Sequence, residues 1–373
     1  MKEVAIYVAI NSNVSIVSSS FQKNKADVGA ALFVKNSCIT IDNTTFIENQ
    51  VGERPPQNYL NIAGVLYQEG GNILITNCYF ENNSASIGGS MFAVWGALMV
   101  YGSTFCSNEA MYGGVFFITY ADMISAQCQF DHNKAKYGGV IRSFSSNVTI
   151  EGSLFHINSA TFAGVVLSYN SSFIINGSEF NDNNAMIAGA VMVAAVSTTK
   201  YYGSILITNN SAAKFGTSFM SECNEQFLGN ITVSNNLGSL VVIYSNITFS
   251  GNVVFTNNSQ QNSTVNLLDG GAVSLFQSNA IFNGICRFEH NQGESGGALH
   301  STDSKLYVNG DVTLIYNRAT ENGGGIYLSY SELNCQHKSL LHLLGNTATH
   351  RGCLLYTSPS PRDATLSRMP SSA

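Results

Sequence analysis

The stretch VTIEGSLFHINSATFAGVVL, residues 148–167, decides the fold because close variants of it recur along the chain. Val148 and Ile150 flank an outward threonine, which is the period-2 pattern of a short strand. A Glu-Gly corner precedes a second strand that contains Phe155, and a third strand begins near Gly164 after another turn. The stretch therefore predicts three short strands and three corners in each repeat.

A Phe-x-x-Asn motif marks the copies of this stretch, and a Gly-Gly or Ala-Gly pair with an apolar triplet follows it. The phenylalanines, spaced by 25, 34, 25, 25, 25 and 25 residues, are Phe21, Phe46, Phe80, Phe105, Phe130, Phe155 and Phe180. The matching asparagines are Asn24, Asn49, Asn83, Asn108, Asn133, Asn158 and Asn183. The second glycines of the pairs are Gly64, Gly89, Gly114, Gly139, Gly164 and Gly189. After Gly189 the period loosens, and it returns at Asn291, Asn317 and Asn346. A fixed period of this size is typical of a solenoid whose repeats share one core.

The predicted fold is an all-β, right-handed parallel β-helix with about 25 residues and three short strands in each coil. Helical folds are excluded because glycine pairs and β-branched residues interrupt every repeat. Since neighbouring strands lie about 4.8 Å apart, residues 25 positions apart stack on each other. We expect the phenylalanines to form a buried column. We expect the asparagines to take left-handed backbone geometry and to hydrogen-bond along the stack. The glycine pairs should allow a positive-φ bend and a close backbone approach. These roles are structural.

Composition excludes several classes of protein. Only 11% of the 373 residues are charged, and the formal net charge is −6. A nucleic-acid-binding protein needs a basic surface, and no basic patch is visible here. With 22 Phe and 17 Tyr the chain is too aromatic for a disordered protein. The longest apolar runs, 91–101 and 186–196, contain glycine and are too short to predict a membrane span.

The last 21 residues, 353–373, differ from the rest in texture and contain three of the five prolines. CLLYTSPSPRD followed by ATL and SRMPSSA resembles the translation of a sequencing adapter. Residues 1–352 are therefore interpreted as a single β-helix domain, and 353–373 as a non-native tail that should lie outside the last coil. Because no signal peptide precedes the first repeat, we interpret the chain as an internal fragment.

A family resemblance follows from these motifs. Phe80-Glu-Asn-Asn83 with Gly88-Gly89-Ser90, and Phe105-Cys-Ser-Asn108 with Gly113-Gly114-Val115, resemble the repeat of the chlamydial polymorphic outer-membrane proteins. Copies cover nearly all of 15–352. The resemblance implies an extracellular or cell-surface scaffold for adhesion or ligand presentation, whose partner would be a glycan or a surface protein. Fold alone does not fix function.

An alternative is a polysaccharide-active enzyme, because right-handed β-helices also include pectate lyases and polygalacturonases. Such an enzyme needs paired carboxylates or a Ca²⁺ cluster. We call a position that is equivalent in successive coils a slot. The acidic candidates Asp42, Asp122, Asp131 and Asp182 occupy different slots. The histidines show no metal-ligand spacing, and His132 and His156 also lie in different slots. We therefore expect no catalytic site, metal or cofactor in this chain.

Cysteines, sequons and insertions complete the interpretation. Cys78, Cys128 and Cys286 stand two residues before the Phe slot, where small core residues are expected, and no disulfide framework is visible. Among the N-x-Ser/Thr sequons, Asn82 and Asn147 lie at predicted corners where a glycan would be solvated.

The sequence departs from the repeat by nine extra residues between Asn49 and Gly64, and at 196–202, 217–227 and 257–268. Loops of this kind are the usual carriers of binding.

Overall fold

The chain forms a parallel β-solenoid of about 13 coils with about 26 residues each. The structure is a computed structural model that describes residues 5–52, 61–260, 269–352 and 355–358, and these residues contain strands and turns but no helix. Each coil contributes one strand to each of several ladders, and every strand pairing is parallel. The predicted β-helix is confirmed.

Two ladders merge into one 25-stranded sheet. The first ladder, which follows the glycine pair, contains Ile6–Val8, Leu32–Asp42, Leu66–Thr76, Met91–Val94, Phe116–Thr119, Ile141–Phe144, Val166–Tyr169, Met192–Ala195, Ser218–Ser221, Leu240–Ile243, Val273–Phe276, Leu299–Thr302, Ile326–Ser329 and Leu355–Ser358. The second ladder shares the two 11-residue strands and adds Asn13–Val17, Ala97–Tyr101, Asp122–Ala126, Asn147–Glu151, Ser172–Asn176, Thr198–Tyr202, Asn224–Phe227, Asn246–Phe249, Asn279–Phe282, Lys305–Val308 and Glu332–Cys335.

The third ladder carries the Phe motif, and a shorter edge ladder follows the asparagine. The third ladder contains Ser20–Gln22, Thr45–Ile47, Tyr79–Glu81, Thr104–Cys106, Gln129–Asp131, Leu154–His156, Glu179–Asn181, Ser204–Thr208, Asn230–Ser234, Asn252–Thr256, Ile285–Glu289, Asp311–Ile315 and Leu340–Leu344. The edge ladder contains Lys25–Ala26, Gln50–Val51, Glu109–Tyr112, Lys134–Tyr137, Ser159–Phe162, Asn184–Ala188, Ser211–Ala212, Gln292–Gly293, Arg318–Ala319 and Thr347–Ala348. The sequence predicts a turn at this position, whereas most coils have a fourth strand there.

The phenylalanine column forms as predicted. Neighbouring rings from Phe21 to Phe180 stack with centroids 4.6–5.1 Å apart. All are fully buried except Phe21, which lies near the open end. Beyond Phe180 the same slot is occupied by Ile207, Val233, Phe255, Phe288, Leu314 and Leu343. The column therefore continues through the part of the chain where the sequence period loosens.

The asparagine ladder is confirmed, although its backbone geometry was predicted wrongly. Asn108 is typical, because its Nδ2 donates to Asn133 Oδ1 at 3.0 Å and to the Phe80 carbonyl at 3.0 Å. The ladder includes three asparagines that sequence analysis missed: Asn210, Asn236 and Asn258. The left-handed residue is the one before each ladder asparagine, for example Ser107 with φ 55°. The bend is placed there because the asparagine side chain must point inward, whereas its predecessor points to solvent.

The two glycines of each pair have different structural roles. Gly113 has φ +65° and makes the bend. Gly114 makes the close approach, since a Cβ at this position would lie 2.1 Å from the Gly139 carbonyl oxygen. The assignment of Gly189 as a second glycine was wrong: it has φ +64°, and Ala190 occupies the second position. The cause is a register shift between Ala160 and Phe162 against Asn184–Ala188, which carries one extra residue.

Two of the predicted irregular stretches are regular coils. Within 196–202 and 217–227, strands pair in register on both sides, and Tyr201 and Phe227 are buried core residues. Their rings stack with centroids 4.4 Å apart. Part of the other two departures, namely 53–60 and 261–268, lies outside the described residues.

The start of the interpreted tail continues the ladder. Leu355–Ser358 pairs in parallel with Ile326–Ser329. The expectation that this segment lies outside the last coil is therefore wrong for these four residues, because an open ladder end offers unpaired backbone groups to any extended chain. The remainder of the predicted tail, 353–354 and 359–373, falls outside the described residues.

Candidate functional site

The repeat residues themselves are not available to a ligand. Phe105, Phe130, Asn108 and Asn133 have no exposed surface. Their partners are the equivalent residues of neighbouring coils. Any functional site must therefore be sought among the outward side chains.

The structure brings together two of the acidic candidates and two histidines that sequence analysis kept apart. Asp131 lies opposite His156 in the third ladder. Its carboxylate oxygens lie 2.8 Å from His156 Nδ1 and 2.8 Å from His132 Nδ1. His156 Nε2 is 3.9 Å from Asp182 Oδ2. Sequence analysis missed this cluster because it compared carboxylates with carboxylates and histidines with histidines, whereas Asp131 and His156 occupy the same slot on neighbouring coils.

This Asp–His cluster is partly exposed, and each histidine ring presents one nitrogen to Asp131. Within the described parts of the chain, no group of three or more His, Cys, Asp or Glu residues has a geometry suited to a metal ion. The arrangement places one carboxylate between two imidazole rings on neighbouring coils.

The other two acidic candidates are isolated from this cluster. Asp42 accepts hydrogen bonds from Thr76 Oγ1 at 2.6 Å and Asn77 Nδ2 at 3.1 Å, and these bonds lower the pKa of its carboxyl. Asp122 accepts a bond from Asn147 Nδ2 at 2.9 Å. Each is satisfied by amide or hydroxyl donors on the next coil, so neither forms a paired-carboxylate site.

An aromatic row runs along the outer face of the first ladder and was not foreseen. Its members are Tyr7, Phe33, Tyr67, Phe92 and Phe117, which stack with centroids 4.7–5.4 Å apart and interplanar angles of 0–25°. All but the exposed Tyr7 are half-buried. Its sequence signal is a ring three residues after the second glycine, as in Gly89 to Phe92.

Arg142 continues the row by one coil, because it pairs in register with Phe117. A second, shorter row of Tyr112, Tyr137 and Phe162 lies on the other side of the glycine bend, with centroids 5.1 and 5.6 Å apart. Burial lowers the pKa of the Arg142 guanidinium, and the nearby Tyr112 and Tyr137 hydroxyls act in the opposite direction. Arg142 therefore lies close to both rows.

Arg142 and Lys136 are cations without an acidic partner in the described parts of the chain. The ion pairs found there join other residues, including Lys134 with Glu109 at 3.9 Å. The Lys136 ammonium instead lies 5.4 Å from the centroid of the Tyr137 ring. The junction of the two rows is thus a local positive site in an acidic chain.

The predicted cysteine and sequon positions take the expected places. Cys78, Cys128 and Cys286 are buried and free, and burial raises the pKa of each thiol, to about 12 for Cys286. The sequon residues Asn82 and Asn147 are exposed. A search of the described residues for a helix able to cross a bilayer found none.

Comparison with known proteins gives a match to a family of sequence repeats. The sequence profile of the Chlamydia polymorphic membrane protein (Chlamydia_PMP) repeat matches residues 311–329. No curated protein and no solved structure matches the chain. The matched segment contains the strand Asp311–Ile315 and the ladder residue Asn317, so the profile match falls within one coil of the solenoid. The match at 311–329 and the stacked coils therefore fit a repeat of the polymorphic membrane protein type within a parallel β-solenoid.

Proposed function

We propose that the chain is a cell-surface scaffold that presents ligand-binding side chains in adhesion. The observation that carries this proposal is the aromatic row, in which Phe33, Tyr67, Phe92 and Phe117 lie half-buried on successive coils of one outer face. A solenoid repeats its outward positions at the strand spacing of about 4.8 Å. Such a surface suits a long ligand rather than a small molecule.

The family match supports a surface location. The matched repeat is named for chlamydial membrane proteins. Antibodies against residues 61–260 should label intact, unpermeabilised cells that express the natural gene. Labelling only after permeabilisation would contradict the proposed location.

Adhesion is tested with the purified chain on beads. Coated beads should be retained on some members of a panel of glycan-coated and protein-coated surfaces, and Phe92→Ser should reduce retention. Thr248→Ser, on the outer face of the second ladder, serves as the control because its side chain lies outside the row. Retention no greater than that of albumin-coated beads on every surface would contradict the proposal.

A second candidate function, cleavage of an acidic polysaccharide, is favoured by the contacts of His156 with Asp131 and Asp182. Two carboxylates linked through a histidine resemble an acid–base arrangement. Incubation with polyuronates should then release reducing ends, and Asp131→Asn should abolish the release while the exposed Asp311→Asn retains it. Absence of turnover would remove this candidate and leave the scaffold.

A further inference from the structure

The half-buried rings of the aromatic row turn their edges, rather than their faces, to solvent. Each ring lies almost parallel to the next, so the faces of Phe33, Tyr67 and Phe92 are covered by neighbouring rings. The edge of an aromatic ring carries the positive part of its quadrupole. The row therefore offers a line of weakly positive C–H groups and tyrosine hydroxyls, which suits an oxygen-rich ligand.

The end of the row adds full positive charge. Arg142 stands in register after Phe117, and Lys136 lies beside Tyr137. Neither cation is neutralised by a carboxylate of the described residues, whereas Lys35 farther along the row is paired with Glu69 at 2.8 Å. A guanidinium held beside tyrosine rings has a fixed fork of donors that matches a carboxylate. This arrangement is complementary to a carboxylate on the ligand.

The spacing of the row selects among anionic polymers. Ring centroids repeat every 4.7–5.4 Å, once in each coil. In an extended peptide, side chains on one face repeat about every 6.8 Å, which does not match. A sugar ring is about as long as the strand spacing, so successive sugars of a linear chain can follow successive coils.

We infer that the aromatic row and Arg142 bind a linear polysaccharide that contains hexuronate, with the sugar chain parallel to the solenoid axis and a uronate carboxylate on Arg142. The inference rests on the proposed scaffold function and names its ligand class. Binding involves no covalent step.

The test compares two ligands that differ only in the carboxylate. Calorimetry on the whole chain would measure binding of a β-1,4-linked glucuronate hexamer and of cellohexaose. We expect the glucuronate hexamer to bind at least about tenfold more tightly, as one charge-assisted hydrogen-bonded pair implies. Equal affinity for the two sugars, or tighter binding of a hexaglutamate peptide, would overturn the inference.

Variants locate the contact. Arg142→Gln should remove the preference for glucuronate, and Arg142→Lys should retain part of it, which keeps the test valid if the first variant is unstable. Phe92→Leu should weaken the binding of both sugars. Arg287→Gln, on the third ladder where Arg287 pairs with Glu289, should change neither affinity. An unchanged preference in a folded Arg142→Gln protein would overturn the inference.

The bead assay separates this inference from the proposed function. Adhesion without glucuronate binding would refute the ligand class and leave the scaffold proposal standing. Glucuronate binding without retention on any surface would support the inference and contradict the adhesive role.

Discussion

A single ladder asparagine holds together three backbone segments. Asn133 donates to the Phe105 carbonyl at 2.9 Å and to Asn158 Oδ1 at 3.0 Å, and its Oδ1 accepts from the Asn108 backbone and side chain. Asn133→Ala would leave these buried groups unpaired, and each such group costs about 1–3 kcal/mol. We expect a loss of about 3 kcal/mol in the free energy of unfolding by urea denaturation. Asn184→Ala, at an exposed position next to the ladder, should cost much less. Equal losses would contradict the role of the ladder.

The phenylalanine column makes a comparable prediction for packing. Phe130 is fully buried between Phe105 and Phe155, with centroids 5.1 and 4.7 Å away. Phe130→Ala removes a ring that the neighbouring coils cannot replace, so we expect a loss of about 3–5 kcal/mol. The half-buried Tyr101, on the outer face of the second ladder, is the matched control, and Tyr101→Ala should cost far less. Thermal unfolding followed by circular dichroism would show whether the two faces are assigned correctly.

At the scale of one strand, Asn224–Phe227 carries an acidic side chain into the core. Glu225 is fully buried against Thr199 and Ile247, and neither carboxylate oxygen has a hydrogen-bond partner of good geometry. Burial raises the pKa of Glu225 well above its usual value, and the Thr199 hydroxyl opposes this shift. The native state therefore keeps the proton that the unfolded state releases as the pH rises above about 4.5.

Glu225 should consequently lower stability at neutral pH. The raised pKa of the Glu225 carboxyl stabilises the native state fully at pH values below the unfolded-state pKa. This stabilisation is lost as the pH rises toward the folded-state pKa. Glu225→Met should raise the free energy of unfolding at pH 7 by about 2 kcal/mol, because it removes a buried, unpaired polar group. The variant should also show a smaller decrease in stability between pH 5 and pH 8. An unchanged pH profile would show that the carboxyl is solvated.

The strand Leu299–Thr302 has the opposite pH dependence. His300 is buried, its Nδ1 lies 3.0 Å from the Ser295 carbonyl oxygen, and its Nε2 lies 3.1 Å from Thr302 Oγ1. Burial lowers the pKa of this imidazole to about 4. Below about pH 6.5 the His300 imidazole binds a proton in the unfolded state, whereas in the native state it stays neutral down to about pH 4. The free energy of unfolding therefore decreases as the pH falls from 6.5 to about 4. His300→Gln should remove this acid-side decrease in urea titrations, while the exposed His337→Gln should retain it.

At the scale of the whole molecule, coils of different length share one core. The ladder asparagines of neighbouring coils are separated by 22 to 34 residues, yet the amide contacts stay at 2.7–3.0 Å. In the longest interval, Gln50–Val51 and the bridge residue Ile62 are in register with the coils on both sides of them.

The insertion between these flanks should therefore be dispensable for folding. Deleting residues 53–60 and joining the ends through two glycines should leave the thermal midpoint within about 2 °C, since the deletion removes no ladder contact of the described residues. Bead retention measured on the same variant would show whether the insertion contributes to adhesion. A large drop in the midpoint would place the insertion in the core.

The sequence by itself determined the inward positions that carry the same residue at constant spacing. The 25-residue interval between Phe105, Phe130 and Phe155 requires identical residues to stack, so the column, the asparagine ladder and the glycine approach could be derived from strand geometry. The same reasoning failed where coil length changes. Asn210, Asn236 and Asn258 were missed, and Gly189 was misplaced because Asn184–Ala188 carries an extra residue that local patterning does not reveal.

Only the tertiary structure decided which outward side chains meet. His132 joins the Asp131–His156 pair, and Arg142 lies near Tyr112 and Tyr137, through contacts between residues that occupy different slots of the coil. Inward positions are constrained by packing and hydrogen bonding, so their identity is visible in one repeat. Outward positions vary in residue type from coil to coil, and contacts between different slots are decided only when the chain is wound into the solenoid.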